Sequence, residues 1–517
     1  MSLQPAALCL AAVGAVCFAW QKYCNRPPVW VSQMENLGRK RDKCIPGTAV
    51  VCGGSIAGTI AARVCADHFE RVVVVDPDVD EPEKDRTRIM QRNSLHLYLC
   101  LFVQGARRLW SNFDEEVERA GGRFSPADLQ LHYSGAELLT PYKQYPPGEL
   151  PASLPMRRSS FQKVIHRILL GMASPGSHIR VLAGTVRGIG ASPDGRRVES
   201  VTVRGLDGKQ IELNDVALVV DCTGRNQDGF KWLRSAGYDI PVDARCSYDP
   251  SLRYLTCSFT VSPEMYATFP IPDEQRKTTF VYAYVPHDDA KACICAVIRT
   301  DNDVVQCFLG DTGGTDLPRD PADIVPFVEK FSGCAKPIPG WVIETIKMLV
   351  ERCGPPTIDF LKLAPLQYIR YQTVVDRLPA NFIAVGDAGL FLNPIHGQGF
   401  AKAMMNGITL NALLHSSGLT PDFSKRYFKL SAKAMQGLWD ATRLHDYGSL
   451  SCTPMDGETR ETGRVARWIE KKLITAATKD EEVASALWHV RQMLQSESVL
   501  LAPKILLKVL TTRSIFE

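Results

Sequence analysis

Two acids and a set of glycines, far apart in the chain, have the types and spacing to hold a phosphorylated cofactor. Gly53, Gly54 and Gly58 stand in the stretch 48–76, TAVVCGGSIAGTIAARVCADHFERVVVVD, which closes on Asp76. Gly53 and Gly54 let a backbone turn sharply and approach a diphosphate, and the free N–H groups of a helix starting there point at it. Gly58 lets that helix lie against its strand, and Asp76, about 20 residues beyond the turn, accepts hydrogen bonds from a ribose. Ser55 takes the place of the usual middle glycine. The second acid, Asp387, lies in the stretch 382–405, FIAVGDAGLFLNPIHGQGFAKAMM. It ends an apolar strand, where it is placed to accept from a ribityl hydroxyl. Pro394 and Gly397-Gln398-Gly399 then turn backbone N–H groups and a helix N-terminus toward an electron-rich ring. Donors so placed stabilise the negative charge that a flavin gains on reduction.

These residues need particular elements to carry them. The first stretch reads strand, tight turn, helix, strand, acid, the layout of a dinucleotide-binding βαβ unit. Two competing readings of it are weaker. Gly53 to Ala57 approximates a nucleophile elbow, but Ala57 stands where that motif needs glycine, and no triad partners are apparent. A ligand-free structural turn is the other. Between the two stretches, residues 245–356 alternate apolar and polar side chains (254–261, 279–285, 292–298), as half-buried strands do. Beyond 414 the pattern is helical. A proline-rich connector (146–155) and a turn at 312–314 punctuate the middle.

The bulk composition excludes several classes. The 517 residues suffice for two or more domains, and 45% apolar with 22% charged content is that of a globular protein. A net charge of +4 is too small at this length to argue for nucleic acid. The 16 cysteines form no Cys-x-x-Cys pair and several sit in apolar runs, which suggests buried free thiols rather than a disulfide frame. No His/Cys cluster has zinc-ligand spacing, so no metal is expected.

At the N-terminus, residues 6–20 (AALCLAAVGAVCFAW) carry no charge and are followed by Lys22, Arg26 and the basic run 39–43. Basic residues after an apolar run suit a short membrane anchor with the bulk of the protein on the cytosolic side, as at the endoplasmic reticulum, in preference to a disordered or docked apolar tail. The C-terminal stretch 499–510 places Lys504 and Lys508 one turn apart among leucines. It is either a basic amphipathic helix on a membrane surface or a last helix docked on the protein's own core.

Gly386-Asp387-Ala388, Asn393-Pro394 and Gly397-Gln398-Gly399 resemble the flavin-closing motif of FAD-dependent monooxygenases related to aromatic hydroxylases and squalene epoxidase. Gly53-Gly54-Ser55-Ile56-Ala57-Gly58 looks like their altered phosphate turn. Arg158-Ser159-Ser160-Phe161 opens a helix as that family's Arg-x-x-Leu element does, where the arginine approaches FAD. Residues 220–225 (VDCTGR) resemble its strand-end segment, and 91–99, with His96, is more loosely similar to a Gln/His segment of a bacterial branch. The resemblance covers about 48–414. It departs where many aromatic hydroxylases have Asp-Gly, a pair linked to FAD and NADPH binding. Here Thr223-Gly224 stands there and Asp228-Gly229 is shifted, so reduction by NAD(P)H directly and by a separate reductase both stay open.

The resemblance implies an α/β fold. A discontinuous Rossmann-like FAD domain (48–243 and 361–414) has an inserted β-sheet substrate domain (244–360), an N-terminal anchor and basic linker (1–47) and a C-terminal helical region (415–517). The implied chemistry is that of a flavin hydroperoxide, transferring oxygen to a lipophilic aromatic, prenylated or terpenoid substrate of the kind met in secondary metabolism. Hydroxylation, decarboxylative hydroxylation and epoxidation all use it. No triad is needed, because the flavin carries the hard chemistry. A phenolic substrate needs its proton removed, and His396 in the flavin loop is the nearest candidate base, although a role that only fixes that loop is the stronger reading of it; His96 and Tyr98 are weaker, as the leucines around them suit burial in a core. A halogenase is disfavoured, as no Trp-x-Trp-x-x-Pro stretch occurs. A flavin reductase acting on a prenyl chain and a non-catalytic FAD-binding protein are the alternatives.

Overall fold

The computed structural model describes residues 15–79, 91–133, 135–146, 150–276, 281–285, 293–312, 316–329 and 337–513. The apolar run that opens the first motif is buried and lies at the centre of a seven-stranded sheet. Ile45–Cys52 pairs in parallel with Phe69–Asp76 on one side and Val216–Asp221 on the other, and Phe382–Ala384 follows beyond. Such continuous apolar runs belong to strands covered on both faces. Ile179–Ala191 extends the sheet in parallel, and Val198–Gly205 and Gln210–Leu213 complete it antiparallel. The carboxyl ends of these four adjacent parallel strands, at Cys52, Asp76, Asp221 and Ala384, therefore share one edge. That edge is where ligands bind in open α/β sheets.

Two helices cover this sheet and join the two motifs. Ile56–Ala66 follows the glycine turn, and Gly399–Ser417 follows the second motif with the run 401–411 buried throughout. They cross closely because Gly407 has no side chain; a Cβ there would collide with Ile60. Interiors packed at this density tolerate little added volume.

A second seven-stranded sheet runs in the order Thr357–Lys362, Arg253–Thr260, Val304–Asp311, Cys293–Arg299, Val281–Val285, Gln130–Tyr133, Ala136–Glu137. The alternating strands expected between 254 and 298 are among these, although 279–280 and 292 lie outside the described residues, as do parts of the 146–155 connector and 312–314 turn. Two strands come from 130–137, before the residues 244–360. Arg245–Tyr248 pairs instead with Leu366–Ile369. The described cysteines are free thiols, most of them buried.

The expectation of a membrane-spanning anchor is corrected. Residues 1–14 lie outside the described residues, and among those described no helix is long and apolar enough to cross a membrane. The helical turns at 15–24 end before Pro27 and Pro28, which cannot continue them. They dock on the far end of the chain: Trp20 Nε1 donates to Leu501 O at 3.1 Å, and Ser498 Oγ to Cys24 O at 3.3 Å. The placement at the endoplasmic reticulum rested on that anchor and goes with it. The C-terminal helix, Pro503–Thr511, likewise serves its own core. Ile505 and Val509 are buried, while Lys504 pairs with Glu482 (2.7 Å) and Lys508 with Asp480 and Glu482 (both 2.8 Å).

Gly407→Val is expected to lower stability by about 1–3 kcal/mol through overpacking against Ile60. Gly171→Ala, at an exposed helical position with no neighbour within 4 Å, is expected to leave it unchanged or raise it slightly. Thermal denaturation of the two variants measures the difference.

Candidate functional site

The glycine turn is shaped by what surrounds it. Gly53 has φ +120°, and a Cβ on it would stand 2.5 Å from Cys222 O; a Cβ on Gly58 would collide with Gly53 O. Gly54 N donates to Asp76 Oδ2 at 2.9 Å, while Asp76 Oδ1 accepts from Asp78 N at 2.9 Å. Asp76 thus clamps the turn from the neighbouring strand end, a duty the sequence did not reveal. Ser55 occupies the N-cap position of Ile56–Ala66 without capping it. Its hydroxyl instead donates to Gln162 Oε1 (3.0 Å) and accepts from Arg158 (2.8 Å). The first-turn N–H groups of that helix therefore have no side-chain cap, and uncapped N–H groups at a helix start are a general anion-binding arrangement.

Arg158 reaches this point from the start of the helix Arg158–Met172. Its guanidinium lies over the Phe400 ring at 5.0 Å, and its buried Nε has no partner. His96 stands beside it. Burial, with Arg158 close by, pushes the His96 imidazole down to about 4, so it is neutral at ordinary pH. Tyr98 is fully buried and stacks on Phe400, a core residue as its leucine neighbours suggest.

The distant second motif arrives at the same place. Gly386, with φ +69°, lies against the first helix: a Cβ on it would be 3.0 Å from the Ala57 Cβ. Gly386 N donates to Asn406 Oδ1 at 2.9 Å. Asp387 Oδ1 pairs at 2.6 Å with the fully buried Lys402, which also donates to Leu390 O, while the aspartate keeps 42% of its side chain exposed. Gln227, in the left-handed region at φ +51°, donates to Asp387 O at 3.3 Å. Pro394, Gly397, Gln398 and Gly399 form the rim of the same cavity as Ser55, Ala57, Arg158 and Asp387. Gln398 Oε1 is buried there without a partner. Lys402 was missed by sequence reasoning; a lysine in a helical run gives no sign that it turns inward.

The segment 220–225 supplies a third wall. Asp221 is wholly buried and accepts from Thr223 N (2.9 Å), Thr223 Oγ1 (2.7 Å) and Gly229 N (3.0 Å). The shifted Asp228-Gly229 pair is thereby spent on holding this strand end. Burial pushes the Asp221 carboxyl up to about 6 against the pull of these donors.

Below the flavin-loop rim the cavity, of about 900 Å³, runs into an apolar chamber walled by Leu131, Val285, Leu473, Leu487, Val490 and Val509, among others. Its polar band is a group of imidazole–carboxylate pairs. His396 Nε2 lies 3.8 Å from Asp446 Oδ1, and His445 Nδ1 lies 3.0 Å from Glu470 Oε1. The two rings meet edge to face at 5.3 Å. Asp446 also accepts from Asn393 (3.1 and 3.0 Å) and Tyr248 (2.7 Å). Burial works to raise both carboxyls, yet the facing histidines, with Asn393 for Asp446, outweigh it and hold them below their ordinary range. Ligand atoms of His396, His445 and Asp446 lie within 4.8 Å of one another, but these hydrogen bonds already engage the aspartate oxygens. Of this group the sequence pointed only to His396. His445, Asp446 and Glu470 sit on helices after 414 with no motif to mark them.

With this geometry in view, relatives can be compared. No family model matches the sequence. Protein Rv3254 of Mycobacterium tuberculosis is 22% identical over 475 residues, 88% of this chain and 91% of that protein. Among solved structures, the flavin-dependent brominase Bmp2 matches with a TM-score of 0.56 at 14% identity, covering 90% of this chain and 98% of that one. CtdE in complex with FAD and a substrate gives 0.54 at 14%, again covering 90% and 98%. PqsL, a probable FAD-dependent monooxygenase from Pseudomonas aeruginosa, gives 0.52 at 17%, covering 78% and 95%. The chain has the fold of these flavoproteins, a Rossmann-like α/β architecture carrying a second sheet.

The raised Asp221 carboxyl has a consequence for stability. A carboxyl bound more tightly to its proton when folded contributes most below its unfolded value, near 4, and that contribution is lost as pH rises through about 6. Relative to Asp221→Asn, the protein is expected to lose stability between about pH 4 and pH 6 and to change little above. Denaturant titrations of both proteins across that range measure it.

Proposed function

We propose that this chain is an FAD-dependent monooxygenase that hydroxylates, with or without decarboxylation, or epoxidises a lipophilic aromatic, prenylated or terpenoid substrate. The observation that carries the proposal is the meeting of the two remote turns, at Ser55–Ala57 and Gly386–Asp387, on one cavity that continues into an apolar chamber. The fit to FAD rests on the residues present. A phosphate cradle admits no Cβ at Gly58, Arg158 keeps an unpartnered buried nitrogen, Gln398 keeps an unpartnered buried oxygen, and Asp387 presents an exposed carboxylate.

In this proposal Gly53, Gly54 and the N–H groups of Ile56, Ala57 and Gly58 hold the diphosphate, with Arg158 beside them. Asp76 serves the ribose in addition to clamping the turn. Asp387, oriented by Lys402, accepts from the ribityl chain. Pro394 and Gly397 to Gly399 bring backbone donors to the ring edge. When bound and reduced, with NAD(P)H as the proposed electron source, FAD supplies the activation of dioxygen, one atom of which goes to an electron-rich carbon and the other to water. The chamber keeps bulk water from the reacting centre. His396, with Nε2 directed at Asp446, takes the proton of a phenolic substrate on Nδ1.

The expected observation is a yellow protein that releases FAD on heating, identified by its visible spectrum and by mass spectrometry, and that takes up dioxygen with NADPH when a lipophilic phenol is added. A colourless protein that binds no added FAD overturns the proposal. Asp387→Ala, combined with Lys402→Met so that no buried charge is orphaned, is expected to lose the flavin while keeping the melting temperature. His396→Gln is expected to keep the flavin and lower phenol turnover about a hundredfold or more.

A further inference from the structure

The cavity that the proposed function assigns to cofactor and substrate is lined by an arginine, Arg491, that the chemistry above does not use. Arg491 ends the helix Glu481–Arg491 and, half-buried, lines the cavity beside Leu487 and Val490. Among the described residues it has no hydrogen-bond or ion-pair partner. Burial lowers its guanidinium from the usual range, and the neighbouring Tyr133 is the group that works against this. Of the other charged groups that line the cavity, Glu497 faces Asp440, and Arg467, Glu470 and Arg158 are already committed. Arg467 donates to Leu444 O, Thr462 O and Arg460 O, and Glu470 pairs with His445. Arg158 is taken by Ser55 and Phe400 at the cofactor end.

A cation at a helix C-terminus is favoured by the helix dipole, and that would explain Arg491 completely if it stood on the open surface. It is instead half-buried and lines the cavity. It faces an apolar chamber, where an unpaired charge is costly and where a planar fork of donors matches a carboxylate in two parallel hydrogen bonds. Tyr133 adjoins it on the same wall, a strand of the second sheet, and offers a further donor. We infer that Arg491 and Tyr133 form an anion-recognition subsite, and that the substrate is a lipophilic molecule carrying a carboxylate. This inference rests on the chamber being the substrate site. It narrows the substrate class from apolar aromatics and terpenoids in general to their acids.

The test uses the full-length, FAD-loaded protein and two matched pairs of probes, 2-naphthoate with 2-naphthamide and dodecanoate with dodecanamide. Binding is measured by calorimetry near neutral pH, where the acids are ionised. At least one acid is expected to bind more tightly than its amide, and Arg491→Gln to weaken that acid at least about thirtyfold while leaving its amide within a few fold. Arg491→Lys is expected to retain part of the preference, and Tyr133→Phe to reduce it less than the glutamine variant does. Equal affinity of acid and amide, equal affinity of both proteins for the acid, or no binding of either acid overturns the inference. Flavin content, read separately from the visible spectrum, is expected to be the same in wild type and Arg491→Gln. A protein that holds no flavin yet discriminates acid from amide refutes the oxygenase proposal and not the anion subsite; a flavin-loaded protein without discrimination does the reverse. Where Arg491→Gln melts well below wild type, the lysine and Tyr133→Phe variants carry the decision.

Discussion

The contact on which the rest of the structure depends is that of Gly386 against Ala57. More than 300 residues separate the two positions in the chain, yet a single added carbon on Gly386 would already press on the Ala57 methyl. Parallel strand order makes the contact possible. Val216–Asp221 is inserted between the strands that lead into each turn, and all of them end at one edge. Helix packing then fixes it, because the helices leaving the two turns are brought together at Gly407 and Ile60. Binding a long, two-ended ligand requires its two grips to keep a constant separation. A sheet with two crossed helices supplies that rigidity better than loops would.

The charges in the cavity show a division of labour. Near the sheet edge nearly every ionic or polar side chain is tied to another: Asp76 to the Gly54 amide, Asp387 to Lys402, Asp221 to Thr223 and Gly229. Deeper in, carboxylates are matched with imidazoles. Carboxylates held below their ordinary range stay ionised opposite the two imidazoles. Against this background of matched groups, a charge with no partner stands out as one whose partner comes from outside.

The sequence made the sheet-edge end of the candidate site legible, in that the residues it singled out meet at one cavity, because each element there obeys a short-range rule. Glycines at a strand–helix turn, an acid ending the next strand and Gly-Asp at a strand end are all read within a few residues. The alternating strands of the second sheet were legible for the same reason, through their period of two. What stayed hidden was made by tertiary contact. Lys402 looks like any solvated helical lysine until its helix is buried, and His445, Asp446 and Glu470 become one cluster only when two helices pack. The apolar N-terminal run misled in the opposite direction. Its composition suits lipid, yet the portion that is described lies against Leu501 and Ser498 of its own chain.

The second sheet contains a lesson about how such a molecule diversifies. Its outer strands, Gln130–Tyr133 and Ala136–Glu137, are threaded in from the segment that precedes its main block, and the far wall of the chamber is contributed by the last helices of the chain. Ligand preference is therefore not written in a cassette. A chimera that exchanged only the central block for that of a relative would leave a sheet margin unpaired and a chamber half inherited. Recombination at those junctions is thus penalised, and the route open to new specificity is gradual: single replacements spread over three separated stretches, each of which leaves the weave intact.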